Sequence, residues 1–186
     1  MSYCLGTDEL SLSEMRQFRL TAQNAAIDEA LKLSLAATRG ELVIRGLLPH
    51  TDFFSAVGNG YTNERFITGA IAINAWTSVY DTAVVPQLGN RKVMVIYKII
   101  NETPVPSVRA VRFRLGATGV STLAWFQVEG VINVKLVPEA WLTEPVVYTP
   151  NQWMDIQCYA NPAIGAGGEM LGFEGYVVEP LGESVS

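Results

Sequence analysis

The positions of hydrophobic and polar residues divide the chain into two parts near Gly40. Before Gly40, small and apolar residues recur at spacings of three and four, which is typical of one face of an α-helix. These residues are Ala26, Ile27, Ala30, Leu31, Ser34 and Leu35. The pattern predicts helix within residues 8–39. Gly40 is predicted to end it, since glycine tolerates the left-handed conformation found at helix C-termini.

Two polar features refine the predicted helix. Ser11 and Glu14 fit a capping box, in which each side chain accepts a hydrogen bond from the other residue's backbone N–H. Residues 21–24 predict a break, because threonine and asparagine favour helix ends over helix interiors.

After Gly40 the chain changes to runs rich in valine, isoleucine and aromatic residues, separated by Gly, Pro and Asn, as expected of strands and turns. The runs are 41–48, 66–74, 92–100, 108–115, 123–136, 140–148, 152–159 and 171–179. Gly130 splits the longest run or marks a bulge in it. Residues 49–65 are predicted to form a loop.

Successive strands with almost no helix between them predict a mainly β protein with an antiparallel β-sandwich or jelly roll. The expected organisation is an N-terminal helical segment or arm, residues 1–39, followed by a sandwich domain, residues 40–186.

Composition adds an expectation about partners. Of the 186 residues, 49% are hydrophobic and 17% are charged, and the mean hydropathy is +0.21. This apolar surplus indicates burial between subunits as well as within one. The net charge of −5 argues against nucleic acid as the main partner, because phosphate binding needs a basic field.

No stretch predicts export or membrane insertion. The opening MSYCLGTDEL lacks the basic and apolar regions of a signal peptide, and no uncharged apolar run reaches about 18 residues. Cys4 and Cys158 form no C-x-x-C pair, and Cys158 lies in an apolar run where cysteine acts as a small hydrophobic residue. We expect synthesis in a reducing cytoplasm and no membrane partner.

Residue types that carry catalysis are sparse. His50 is the single histidine and follows a proline in a predicted loop. The sequence has no G-x-S-x-G motif, and a structural zinc site needs several histidine or cysteine ligands. The Gly-rich segments 116–119 and 165–168 join strands and lack the lysine of a phosphate loop.

Carboxylates and loop oxygens leave two alternatives open. A glycosidase pair would come from Asp81, Glu129, Asp155 and Glu174. A calcium site would come from Asp52, Asn59, Asn63 and Glu64, although their spacing is not that of an EF-hand. Because acidic residues on strands usually face solvent, we expect no enzymatic activity, no cofactor and no metal.

The segment VRFRLG raises the question of an interface. Its alternation turns Arg112 and Arg114 away from the face that buries its apolar residues. They meet either water or a partner, since arginine pairs with carboxylates through two parallel hydrogen bonds. Expected carboxylate partners on neighbouring strands are Glu129, Glu144 and Glu174.

Four tryptophans, Trp76, Trp125, Trp141 and Trp153, lie in or near predicted strands. In a sandwich such residues favour core or subunit contacts over ligand platforms. The candidate interface residues are therefore Arg112, Arg114, Trp125, Trp141 and Trp153.

The order of segments in residues 88–182 adds a resemblance. A turn containing NRKV leads into a strand, VRFRLGATG runs into an aromatic strand, and GYVVEPLG closes the region. This order resembles the accessory capsid proteins of tailed bacteriophages, known as cement or decoration proteins. The resemblance implies a β-sandwich, often a homotrimer, that binds the outer capsid surface and joins neighbouring capsomers of the major capsid protein. It also implies an N-terminal arm, to which residues 1–39 would correspond.

The sequence therefore favours a virion structural protein that stabilises a bacteriophage capsid from its outer surface. The alternative is a receptor- or carbohydrate-binding jelly roll of a phage tail or spike, which exposed tryptophans in a groove beside Asp or Asn would favour.

Overall fold

The computed structural model describes residues 3–48, 52, 65–81, 88–115, 121–132 and 138–182. These residues form two antiparallel sheets and one long helix, which confirms the predicted β-sandwich. The first strands are β1 (Cys4–Gly6), β2 (Leu42–Gly46), β3 (Arg65–Ile67), β4 (Trp76–Asp81) and β5 (Val93–Asn101). The remaining strands are β6 (Val108–Leu115), β7 (Ser121–Gln127), β8 (Glu139–Tyr148), β9 (Met154–Ala160) and β10 (Met170–Pro180).

The larger sheet has six strands in the order β1-β8-β5-β10-β2, and β3 pairs with β10. The smaller sheet has four strands in the order β4-β9-β6-β7. Their facing surfaces enclose the main core, which includes Ile96, Val111, Phe113, Phe126 and Cys158.

Most predicted strands are found, and four details differ. Strand β4 was not predicted, since residues 76–81 fall between the predicted runs 66–74 and 92–100. The run 66–74 supplies only β3 and two isolated bridges, at Ile71 and Ile73. The run 123–136 leaves the sheet after Gln127 and continues as a short helix, α2 (Glu129–Ile132), where a strand was predicted around Gly130. Strand β1 was not predicted, because three residues are too few for a periodic signal. The predicted loop 49–65 lies almost wholly outside the described residues.

Helix α1 (Leu12–Lys32) is continuous, so the break predicted at residues 21–24 is wrong. Ala22 and Ala26 are fully buried in the packing of α1 against the larger sheet, and this packing overrides local preference. The capping box is confirmed, since the Ser11 amide donates to Glu14 Oε2 at 2.8 Å. The helix ends before Gly40, with Ser34 in the left-handed conformation at φ 55°. None of the helices in the described ranges has the length and apolar character to cross a membrane.

Strand β5 is buried along its whole length, from Val93 to Asn101. Met94 and Ile96 point into the core between the sheets. Val95 and Tyr97 point the other way and pack with α1. An antiparallel strand usually has one solvated face, so this strand depends on the helix to cover its second face.

A bulge interrupts β5 at Tyr97. The register with β10 shifts between Glu174 and Gly175, and the register with β8 shifts between Ile96 and Lys98. The Nζ atom of buried Lys98 lies 2.8 Å from Glu174 Oε1 and 4.9 Å from the Trp141 ring centroid. The bulge thus places a lysine where it is held by a carboxylate and an aromatic ring.

The described residues that precede helix α1 also belong to the folded body. Strand β1 pairs with β8, with Leu5 opposite Trp141. The Trp141 indole N–H donates to Thr7 Oγ1 at 2.8 Å. The described part of the N-terminal segment therefore lies against the larger sheet. The division into residues 1–39 and 40–186 stays a prediction.

We predict that Gly175→Ala destabilises the fold strongly. A Cβ at this position would collide with the backbone carbonyl of Val95, and the central strands leave little room for that carbonyl to move. The free energy of unfolding should fall by about 3 kcal/mol in urea denaturation.

Gly46→Ala is the matched control, because a Cβ at Gly46 meets nothing within 4 Å. Its stability should change by no more than about 1 kcal/mol. Equal denaturation midpoints for the two variants would contradict the close approach of Gly175 to the Val95 carbonyl.

Candidate functional site

The side of the smaller sheet that faces away from the core carries an unusual set of side chains, here called the outer face. In β6, Val111 and Phe113 enter the core, so Arg112 and Arg114 project from the opposite side. The pairing register places outward residues of neighbouring strands side by side in rows across the sheet. The outer face comprises Trp76, Ser78, Ala110, Arg112, Arg114, Trp125, Gln127, Asp155, Gln157 and Tyr159.

Gln157 is the centre of the polar network on this face. Its Oε1 accepts a hydrogen bond from Arg112 Nε at 2.7 Å. Its amide nitrogen donates to Ser78 Oγ at 2.9 Å and to Asp155 Oδ2 at 2.8 Å. These contacts fix the orientation of the amide and couple Arg112 to the Asp155 carboxylate.

Arg112 is held by an aromatic ring as well. Its guanidinium carbon lies 4.3 Å from the centroid of the Trp76 ring, a cation–π geometry. Tyr159 packs on the same indole, with ring centroids 5.7 Å apart. Burial and then the charge of Arg114 lower the pKa of Arg112 from its ordinary value, while Asp155 acts in the opposite direction.

Two adjoining depressions share Trp76 and Trp125 as walls and together form what we call the aromatic groove. One has a volume of about 450 Å³ and is also lined by Arg112 and Thr122. The other has a volume of about 360 Å³. Both volumes are in the range of small-molecule sites.

The smaller depression adds a polar wall. Arg109 Nη1 lies 2.7 Å from Glu129 Oε1, and Arg109 Nε donates to the Asn161 carbonyl at 2.5 Å. Asn161 and Glu129 both line this depression. The groove therefore combines aromatic walls with fixed hydrogen-bonding groups and charges.

The five candidate interface residues occupy different environments. Arg112 and Trp125 line the groove, and Arg114 pairs with Asp155 at 3.5 Å. Trp153 lies in the connection before β9 and is 37% exposed. Trp141 is buried between α1 and the larger sheet, so a partner reaches it only if the helix moves.

Two of the three glutamates expected to pair with Arg112 and Arg114 have other partners within the chain, which corrects that prediction for Glu129 and Glu174. Glu129 pairs with Arg109, and Glu174 lies on the other sheet, where it pairs with Lys98. The bulges and strand order that decide these pairs have no short-range signal in the sequence.

The carboxylates considered for hydrolysis are dispersed. Glu129, Asp155 and Glu174 each belong to a separate ion pair, and the side chain of Asp81 lies outside the described residues. Of the calcium candidates, Asp52 pairs with Arg45 at 2.6 Å. Asn59, Asn63 and Glu64 lie outside the described residues, as does His50. Within the described ranges, no group of three His, Cys, Asp or Glu side chains is placed to hold a metal.

Both cysteines are free thiols in this structure. Cys158 belongs to the core, where burial raises its pKa. Cys4 donates to the Gln127 carbonyl at 3.2 Å, and burial raises its pKa to about 11. Neither environment favours the thiolate form that nucleophilic chemistry requires.

Three groove and network residues were not among the candidate interface residues. Trp76 was considered only as one of the four tryptophans, and Gln157 and Tyr159 were not singled out. The alternation of Gln157 and Tyr159 along β9 is visible in the sequence, but their positions opposite Arg112 and Trp76 depend on pairing between distant strands.

No family model and no curated protein matches the chain. Among solved structures, it is similar to the VP2 subviral particle of infectious bursal disease virus, with a TM-score of 0.36 and 8% identity. That match covers 74% of this chain and 32% of the viral chain, so the chain spans about a third of that protein.

The chain is also similar to the C-terminal CBM6 of LamC, a marine laminarinase from Zobellia galactanivorans. The TM-score is 0.35 and the identity is 10%, over 74% of this chain and 99% of that one. At these TM-scores, neither likeness assigns a function.

We predict that Arg114→Ser destabilises the protein more than the loss of a surface arginine does. The Asp155 side chain is 5% exposed, and removing its cation leaves a buried carboxylate less well compensated. The free energy of unfolding at neutral pH should fall by about 2 kcal/mol in urea denaturation.

The matched control is Arg16→Ser on the exposed side of α1, with an expected change within about 0.5 kcal/mol. Adding Asp155→Asn to Arg114→Ser should recover part of the loss, because the buried negative charge disappears. If Arg114→Ser and Arg16→Ser changed the free energy of unfolding equally, the ion pair between Arg114 and Asp155 would contribute nothing to stability.

Proposed function

We propose that this chain is a cement or decoration protein of a bacteriophage virion, which binds the outer capsid surface through the outer face of its smaller sheet. The observation that carries the proposal is the concentration of Trp76, Trp125, Tyr159 and Arg112 on this face. Tryptophan, tyrosine and arginine supply most of the binding energy in protein interfaces. The segment order of residues 88–182 supports the same function by its resemblance to cement proteins.

The arrangement of the sandwich also favours this face. Helix α1 packs on the outer side of the larger sheet and buries Val95, Tyr97 and Trp141 there. The aromatic residues of the smaller sheet instead border open depressions. A partner that contacts the smaller sheet gains apolar contact without displacing the helix.

The proposed partner is the major capsid protein, and the proposed assembly is a homotrimer. Three linked copies attach more strongly than one, because the first contact raises the effective concentration of the other two. Each attachment adds buried area between neighbouring capsomers, which resists their separation.

We predict that Trp125→Ala weakens attachment to the capsid. Purified empty shells of the virus that encodes the chain are mixed with the full chain, and binding is measured by co-sedimentation. Loss of this indole should lower the apparent affinity at least about tenfold, the size expected for an interface tryptophan.

Trp153→Ala is the matched control, since Trp153 is exposed outside the groove. It should bind shells as the wild type does. Loss of binding in Trp153→Ala alone would show that the contact lies away from the outer face. If the wild type did not sediment with the shells, the cement function would be rejected.

The aromatic groove favours a second candidate function, a receptor- or carbohydrate-binding module. Two tryptophans flank the groove, and Asn161 and Glu129 lie beside them. Sugar rings present apolar C–H faces to indoles and hydroxyls to polar side chains, so this combination suits a saccharide.

We predict for this second function that the labelled full chain gives signals on a glycan array, because the groove offers stacking surfaces beside hydrogen-bonding groups. Trp125→Ala should lose these signals and Trp153→Ala should keep them. An array without signals for the wild type would reject this function while leaving capsid binding open.

A further inference from the structure

The aromatic groove holds one cation without a carboxylate partner among the described residues. Arg109 pairs with Glu129 at 2.7 Å, and Arg114 pairs with Asp155 at 3.5 Å. Arg112 instead donates its Nε hydrogen to the neutral amide oxygen of Gln157. The groove therefore keeps a local positive charge in a chain whose net charge is −5.

The position of Arg112 is fixed in a way that suits an anion. The Trp76 ring centroid lies 4.3 Å from its guanidinium carbon, and its Nε donates to Gln157 Oε1 at 2.7 Å. Its two Nη atoms form no hydrogen bond within the described part of the chain. A guanidinium with this edge available binds a carboxylate through two parallel hydrogen bonds.

Burial supports the same conclusion. The pKa of Arg112 is lowered first by burial and then by the charge of Arg114. The charge of Asp155 acts in the opposite direction, and an anionic ligand beside the guanidinium would add to that favourable effect. The site is thus better satisfied when a negative charge is bound.

Trp125 provides the second half of the site. It lies directly opposite Arg112 in the β6–β7 pairing, and both side chains line the 450 Å³ depression. Within the described ranges, its indole stacks on no other aromatic ring. A ring that carries a carboxylate can therefore pack on Trp125 while its charge reaches Arg112.

We propose that the aromatic groove binds a uronic acid residue, with the carboxylate on the Nη atoms of Arg112 and the pyranose ring on Trp125. This inference rests on the second candidate function, glycan binding by the groove. The adjoining 360 Å³ depression, with Glu129 and Asn161, accommodates the hydroxyls of the next sugar. The ligand class is an acidic oligosaccharide.

Isothermal titration calorimetry of the full chain tests the inference with two oligosaccharides of equal length, tetragalacturonate and the neutral cellotetraose. The wild type should bind tetragalacturonate more tightly. Arg112→Gln should lower that affinity about tenfold or more, since a charge-assisted pair is lost. Its affinity for cellotetraose should fall by less, so that the preference for tetragalacturonate disappears, and Arg112→Lys should give an intermediate loss.

Arg16→Gln is the control for net charge, because it removes the same charge from the exposed side of α1. It should leave tetragalacturonate affinity unchanged at about 0.15 M salt, where distant charges are screened. Circular dichroism melting of each variant confirms that the fold is intact.

Equal wild-type affinity for the two oligosaccharides would overturn the uronate inference and leave glycan binding in place. An equal loss in Arg16→Gln and Arg112→Gln would also overturn it, because long-range charge would then explain the preference. Binding of tetraglutamate that depends on Arg112 but not on Trp125 would assign an acidic peptide instead. No binding of any oligosaccharide would reject both the inference and the function on which it rests.

Discussion

Strand β5 has no face left for solvent, because the second sheet packs on one side and helix α1 on the other. Covering that second face requires the helix to lie flat, which the small residues Ala22 and Ala26 allow. The bulge at Tyr97 then places Lys98 under the helix, between carboxylates of two neighbouring strands. The position of the helix, the burial of Lys98 and the enclosure of Trp141 are all part of the covering of this strand.

The two sheets consequently have different outer environments. Helix α1 covers the outer side of the larger sheet, and the aromatic residues on that side contribute to the stability of the fold. The smaller sheet lacks such a helix in the described structure, and its outward residues Trp76, Arg112 and Trp125 line a groove instead. Residues of the same type therefore differ in role according to the sheet on which they lie. Trp141 and Trp125 illustrate this difference, since one is a core residue and the other is a wall of the candidate site.

Local patterns predicted the fold class, the capping box at Ser11 and most strands, because alternation and turn residues act over a few positions. They failed where packing between distant segments decides the outcome. The continuous helix through residues 21–24 depends on contact with the larger sheet, and the turn into α2 after Gln127 follows the hydrogen bond from the Val128 amide to the Arg109 carbonyl. For the site, the orientation of Arg112 was predictable from VRFRLG. Its neighbours Gln157 and Trp76 were not predictable, because they lie far from Arg112 in the sequence. They come close to it only through the pairing of β9 with β6 and with β4.

The position of β10 in the larger sheet has a consequence for how the chain reaches its native state. This strand lies between β5 on one side and β2 and β3 on the other, so residues 170–180 join segments made much earlier. Until those residues leave the ribosome, β5 and β2 have no common neighbour and the nascent sheet is incomplete. Contacts of such large sequence separation also slow folding, since long loops must close before they form. The larger sheet is therefore completed only after β10 has been synthesised.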